Sequence, residues 1–160
     1  MEFELVITID RAPAKVFAFL RDKDRHPQNA DSPVLLLEKT TPGPTGVGTR
    51  YREVVQMLPF FRGEILSEIT RFEPDRVLEE DFAGAGMEGH LAYQFLPVDG
   101  GTQLIQREKL RLTGLLRLLA PLVERMLARR LIQRLEAIKQ VLESGWPVNQ
   151  PADGPPPSGA

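Results

Sequence analysis

The chain has no cysteine among its 160 residues, which removes disulfide frameworks, thiolate nucleophiles and cysteine-based metal sites together. Histidine is nearly as scarce, with two copies, too few for a multi-histidine centre, so neither a metal nor another cofactor is expected. There is no excess charge of one sign either. A net charge of −2 gives no global pull toward nucleic acid, and no nucleic-acid partner is expected. No apolar run approaches the ~20 residues a spanning helix needs. Met1 to Asp10 alternates apolar and polar residues rather than placing a basic run before an apolar one. The expectation is a cytoplasmic protein with no integral membrane segment. Nucleophile elbows, phosphate loops and dinucleotide fingerprints are missing as well.

What is present is enough for one domain. The hydrophobic fraction is 42%, and a chain of this length buries a real core but not two. Composition changes at Gly145: Pro147, Pro151, Pro155, Pro156 and Pro157 with Gly154 and Gly159 leave little to bury. The expected division is a domain over residues 1–145 and a Pro/Gly-rich disordered or extended tail over 146–160.

The longest periodic segment is Thr113 to Glu143. Leu116, Leu119, Val123, Leu127, Leu131, Leu135, Ile138 and Leu142 recur at steps of three and four, drawing one apolar stripe down a helix. A second row, Leu115, Leu118, Leu122, Met126 and Ile132, widens the apolar arc toward the N-terminal half, and Arg125, Arg129 and Arg130 lie on the remaining surface. Pro121 predicts either a kink near Arg117 to Pro121 or a short helix followed by a long one with Pro121 in its first turn.

Before it, period-two alternation dominates. Phe3, Leu5, Ile7 and Ile9 mark a first strand, and Pro13 then opens a short helix carrying Val16, Phe17 and Leu20. The charged stretch Asp22 to Asp31, split by Pro27, reads as a loop or short second helix. Strands follow at Val34 to Lys39, Thr49 to Met57, Phe61 to Phe72, Arg76 to Phe82, Met87 to Leu96 and Thr102 to Leu112, with a flexible break at Ala83 to Gly86 and a hairpin at Asp99 to Gly101. Seven strands with short turns predict an antiparallel meander, and its apolar face needs the C-terminal helix as a cover.

That order, with the opening strand followed by Asp10 to Asp22, the Gly46-Val-Gly-Thr49 lead into the third strand, Tyr93-Gln-Phe95 running to Gly100-Gly-Thr102, and the arginine-laced last helix, resembles the polyketide cyclase/dehydrase branch of the START-related SRPBCC superfamily. The likeness covers about residues 1–143. It implies an α+β helix-grip fold, a seven-stranded curved antiparallel sheet wrapped around a long C-terminal helix, with one or two short helices between strands one and two. It also implies a pocket for hydrophobic small molecules, while membership leaves the activity open among binders, carriers and cyclases.

Candidate site residues are those that line, or break the apolar rule on, inward faces. If Tyr51, Val55 and Met57 face the helix, so does Glu53; if Leu104 and Leu110 do, so do Gln106 and Glu108. An inward carboxylate must pair, with neighbours such as Arg50, Arg71 or Arg107, or meet a ligand or take up a proton. Phe61, Ile65, Ile69, Leu91, Tyr93, Val123 and Leu127 complete the expected lining. Tyr51 and Tyr93 read as core aromatics with satisfied hydroxyls. His90 falls out of phase with Leu91 and Tyr93 and is expected outside the pocket. His26 is expected on the surface near the pocket mouth, and Trp146 at the helix end. Three functions remain. One is binding of a lipid, polyketide-like or aromatic compound; another is a cyclase or dehydratase using Glu53 or Glu108 with a tyrosine. The third makes the basic helix face a partner surface. The sequence leaves catalysis undecided and a homodimer open.

Overall fold

A computed structural model describes residues 1–25, 34–58 and 61–145, the side chains of Arg25, Met57, Leu58 and Phe61 excepted. His26, Pro27, Trp146 and the Pro/Gly-rich stretch 146–160 lie outside the described residues. The chain runs β1 (Glu2–Ile9), α1 (Pro13–Arg21), a 3-10 turn (Lys23–Arg25), β2 (Val34–Lys39), β3 (Arg50–Leu58), β4 (Phe61–Glu73), β5 (Val77–Gly84), β6 (Met87–Val98) and β7 (Gly101–Leu112). A 3-10 segment (Gly114–Leu119) then leads into α2 (Ala120–Glu143). Sheet order is β1-β7-β6-β5-β4-β3-β2, antiparallel throughout. The last six strands are the expected meander, and β1 closes it by pairing with β7. Register shifts in β2, β3 and β4 supply the local twist that curves the sheet toward α2.

Alternation decides which side chains face α2. The outer face is a self-neutralising surface: Arg50 pairs with Glu68, Arg52 with Glu64, Arg71 with Glu73, Arg107 with Glu4 and Arg111 with Glu88. These exposed pairs add little stability each, but they leave the sheet without a basic stripe for nucleic acid. His90 belongs to this face, its Nδ1 2.6 Å from Asp81. Because Arg50, Arg71 and Arg107 are all engaged outside, they are not the partners of the inward glutamates.

Ala83 to Gly86 is not the flexible break its composition suggests. β5 runs through Gly84, and Ala85 and Gly86 form a two-residue hairpin at φ 50° and 78°, since positive φ at both turn positions matches strand twist. The Gly100-Gly101 pair has a steric cause. A Cβ on Gly101 would lie 2.2 Å from the carbonyl oxygen of Ile9, where β1 and β7 finish pairing. Gly101→Ala should therefore lose about 2 kcal/mol in urea denaturation by overpacking against backbone, whereas the open Gly100 has nothing within 4 Å.

α2 takes the second course open at Pro121: a 3-10 segment precedes it and the proline sits in its first turn, where its missing N–H has no intrahelical partner to lose. Its C-terminal end is tied down. Arg11 donates to the Glu143 carbonyl at 2.7 Å, the Asp10 amide donates to Glu143 Oε1 at 3.0 Å, and Lys139 donates to the Thr8 carbonyl at 2.7 Å. Cations at unsatisfied helix carbonyls are favourable. The stripe residues Val123, Leu131, Leu135, Ile138 and Leu142 are buried as expected, but Leu119 is 47% exposed. The second row stays largely outside: Leu115, Leu118 and Leu122 are 83%, 80% and 67% exposed.

The interior is two apolar clusters rather than one. Around the pinned end of α2, Leu135, Ile138 and Leu142 pack with α1 and with Ile9, Phe95 and Leu104; Phe17 stacks edge-on to Phe72 and Phe95 at 5.2 and 5.3 Å. Toward the other end, Val123 packs with Val55, Met87, Leu110 and Leu112. Between them lies a polar layer.

Candidate functional site: a polar belt between sheet and helix

The belt follows from adjacent strands contributing polar residues to the same face. Glu53 on β3 and Ser67 on β4 belong to the inward rows of Tyr51, Val55 and Ile65, Ile69; Glu80 on β5 sits opposite Ile69 and Leu91. Tyr93 on β6 is in register with Gln106 on β7, and Leu91 with Glu108. Lys23 reaches in from the 3-10 turn after α1, and Arg134 comes from α2.

One half of the belt is internally satisfied. Lys23 Nζ donates to Glu80 at 2.7 Å, Glu53 at 3.1 Å and Ser67 Oγ at 3.2 Å, and stands 4.6 Å from the Tyr51 ring centroid. Burial by itself would lower the Lys23 ammonium, but Glu80 and then Glu53 outweigh it and hold its pKa above the ordinary lysine value. Tyr51 donates to the Arg21 carbonyl at 3.1 Å, the satisfied core hydroxyl expected of it.

The other half is not satisfied. The Tyr93 hydroxyl and Gln106 Oε1 are buried with no hydrogen-bond partner among the described residues. Each is a polar group whose isolation costs about 1–3 kcal/mol. Gln106 does donate to Glu108 at 3.2 Å. Burial pushes the Glu108 carboxyl above its ordinary range, against the pull of Arg134 and Gln106, and burial pushes the Tyr93 phenol up as well. Arg134 forms no ion pair or hydrogen bond among the described residues. Its side chain is accessible, yet its guanidinium is held above its usual value by the Tyr93 oxygen, with Glu53, Glu80 and Glu108 adding to the rise against burial. Both facts describe a cation standing at a gap partly open to solvent and surrounded by protein groups.

The gap at this point is bounded by Leu20, Lys23, Tyr51, Leu78, Tyr93 and Arg134 among others, with about 290 Å³ of free space partly open to solvent. Its enclosed part has room for roughly one water. A larger guest must therefore use the open part or displace a side chain, and Arg134, long and unpaired, is the one that can swing.

The expected lining divides three ways. Tyr51, Glu53, Tyr93, Gln106 and Glu108 meet at the belt. Val55, Ile65, Val123 and Leu127 lie in the apolar cluster at the Val123 end, whereas Ile69, Leu91 and Leu104 lie in the cluster at the pinned end. Leu104 is fully buried there and packs as core. Phe61 is in β4, its side chain outside the described ones. The expectation that Tyr93 has a satisfied hydroxyl does not hold, because its cross-strand neighbour Gln106 turns its amide to Glu108. Sequence reading missed Lys23, Glu80 and Arg134. Arg134 had a signal, three residues past Leu131 and four before Ile138, on the stripe itself. Glu80 was hidden by the doublet Val77-Leu78, both buried, which blurs the period of two.

Glu108 gives a testable sign. A carboxyl whose folded pKa is raised stabilises the fold most when protonated, below its unfolded value of about 4.3, and that benefit is lost as pH rises through the folded value. Glu108→Gln should therefore match the wild type in acid and exceed it at neutral pH by about 1 kcal/mol, read from urea midpoints at the two pH values.

Comparison with known proteins places this geometry. The polyketide cyclase/dehydrase and lipid transport family matches over residues 1–143, and no curated protein matches. A START superfamily protein from Mycobacterium smegmatis superposes with a TM-score of 0.72 at 10% identity, covering 89% of this chain and 97% of that one. The ZhuI aromatase/cyclase from Streptomyces sp. R1128 gives 0.71 at 17%, over 89% and 93%. TTHA0849 from Thermus thermophilus gives 0.69 at 19%, over 90% and 98%. At these identities the solved structures share the fold, and the whole-domain match decides the membership: the chain belongs to the polyketide cyclase/dehydrase and lipid transport family.

Proposed function

We propose that the protein binds a mainly apolar small molecule bearing a neutral oxygen group, with its apolar body against Leu20, Ile69 and Leu78 in the gap and its oxygen at the belt. The observation carrying this is the pair of buried polar atoms without partners, Tyr93 Oη and Gln106 Oε1, beside the unpaired Arg134. A hydroxyl donor, an amide acceptor and a free guanidinium together suit a carbonyl or hydroxyl that accepts from Tyr93 and Arg134 or donates to Gln106. Charge favours a neutral head. Lys23 and Arg134 balance Glu53 and Glu80, while Glu108 is pushed toward its neutral form.

The test uses matched ring compounds, tetralone, naphthol and the oxygen-free tetralin, titrated into the protein and followed by ligand-observed NMR. Tetralone and naphthol should bind about ten-fold tighter than tetralin, the worth of one or two buried hydrogen bonds. Equal affinities would leave an apolar pocket with no role for the belt, and no binding by any of the three would end the proposal.

A second reading, a cyclase or dehydratase, is favoured by Glu108 alone, a desolvated carboxyl near the Tyr93 hydroxyl and suited to general acid work. Glu53 is a weaker candidate, being committed to Lys23. Under this reading Glu108→Gln abolishes turnover of a poly-β-carbonyl thioester while tetralone affinity persists; unchanged turnover removes Glu108 from it.

A further inference from the structure

We propose that the 3-10 segment Gly114–Leu119 and the first turns of α2 dock onto an anionic lipid surface. Leu115, Leu118, Leu119 and Leu122 are 83%, 80%, 47% and 67% exposed, and they follow one another over about two turns. Isolated exposed leucines are ordinary, but a contiguous group on one element marks a contact surface. Its neighbours decide what the contact is. Arg117, Arg125 and Arg129 are exposed and, with Arg130, form no ion pair or hydrogen bond among the described residues. On the sheet the opposite holds, where Arg50, Arg52, Arg71, Arg107 and Arg111 each meet a carboxylate. These five sheet arginines are thus neutralised, while those around the exposed leucines are left free.

Leucines on one side of a short helical segment with unpaired arginines beside them are the pattern of an interfacial element: the apolar side chains enter the acyl boundary while the cations meet anionic headgroups. A second copy is a poorer occupant. A two-fold contact would set this arginine-rich face against itself. A stable protein interface also needs roughly 800 Å² per partner, more than two turns of helix present. The element does not span the bilayer, since no described helix is long and apolar enough to cross one. Its position adds a consequence: Leu116 and Val123, on the adjoining side of the same turns, belong to the apolar cluster at the Val123 end of the interior. A docked protein would have that end of the interior next to the lipid. The docking itself does not depend on which guest the gap holds.

The test is co-sedimentation of the full chain with phosphatidylcholine vesicles with and without phosphatidylglycerol, no small molecule added. Binding should require phosphatidylglycerol and weaken with added salt. Leu118→Asp/Leu122→Asp should cut partitioning by at least about ten-fold; both positions are exposed, so its thermal unfolding should match the wild type. Arg117→Gln/Arg125→Gln/Arg129→Gln should erase the preference for phosphatidylglycerol. Lack of sedimentation, or sedimentation indifferent to the leucine variant, overturns the proposal. A concentration-dependent dimer that the leucine variant dissolves, without vesicle binding, would assign the face to a second copy instead.

Discussion

Lys23→Met is expected to lower stability at neutral pH by about 3 kcal/mol, the usual result of removing one partner from a buried ion cluster. Lys23 is 7% exposed and is the cation between Glu53 and Glu80, whose side chains are only 21% and 13% accessible. Methionine matches the stem but leaves two carboxylates facing each other and Ser67 without its donor. The folded pKa of Lys23 is raised, so its contribution is complete below the unfolded lysine value of about 10.4 and is lost only as pH climbs through the raised one. Urea denaturation across pH checks this. Adding Glu53→Gln and Glu80→Gln to Lys23→Met should recover most of the loss at neutral pH, since the cost lies in the unpaired charges and not in the missing contacts. A deficit unchanged in the triple variant would place the role of Lys23 in packing.

Arg134→Met should behave in the opposite way, nearly silent in stability and large in binding. The side chain is accessible and unpaired, so its removal should cost no more than about 1 kcal/mol. Tetralone affinity should fall between about ten- and a hundred-fold, the worth of hydrogen bonds from a charged donor. Arg134→Lys should restore only part of it, because an ammonium lacks the planar fork. A separate readout needs no ligand. Arg134 pulls the Glu108 carboxyl down, so its removal should move the Glu108 titration, followed by carboxyl NMR, further up. Wild-type affinity in the methionine variant, with Glu108 shifted as stated, would show that Arg134 sets the field of the belt but does not touch the guest.

The two variants differ because the belt has a structural half and an available half. Lys23, Glu53, Glu80 and Ser67 close on one another and hold the turn after α1 against β3 to β5. Tyr93, Gln106, Glu108 and Arg134 do not close, and the free space lies beside Tyr93 and Arg134. Sequence reading reached the first half only in part. It placed Glu53 inward from its phase with Tyr51 and Val55, but sought its partner among Arg50, Arg71 and Arg107, which alternation sends to the other face. The partner came from a 3-10 turn thirty residues earlier, and no local period connects the two.

Several features were legible because they are local. A period of two or of 3.6 decides strand or helix, and parity within a strand decides the face, so the seven strands, the inward Glu53, Gln106 and Glu108, the outward His90 and the buried stripe of α2 could be read from residue order. The Ala85-Gly86 hairpin was misread because composition shows that a chain can bend, not how tightly. The second leucine row of α2 was read as a wider apolar arc, and periodicity is silent on whether any element covers such a row.

Residue order alone was enough for the succession of elements, their faces and the family to which this arrangement belongs, since each depends on residues near one another in the chain. Which polar groups are satisfied was settled only by packing in three dimensions. Packing joined Lys23 to Glu53 and Glu80, left Tyr93, Gln106 and Arg134 without partners, and brought Val123 into the sheet while leaving Leu118 and Leu122 outside. Hydrogen bonds and desolvation act through distances between residues far apart in sequence, and those distances are fixed only when helix and sheet have packed.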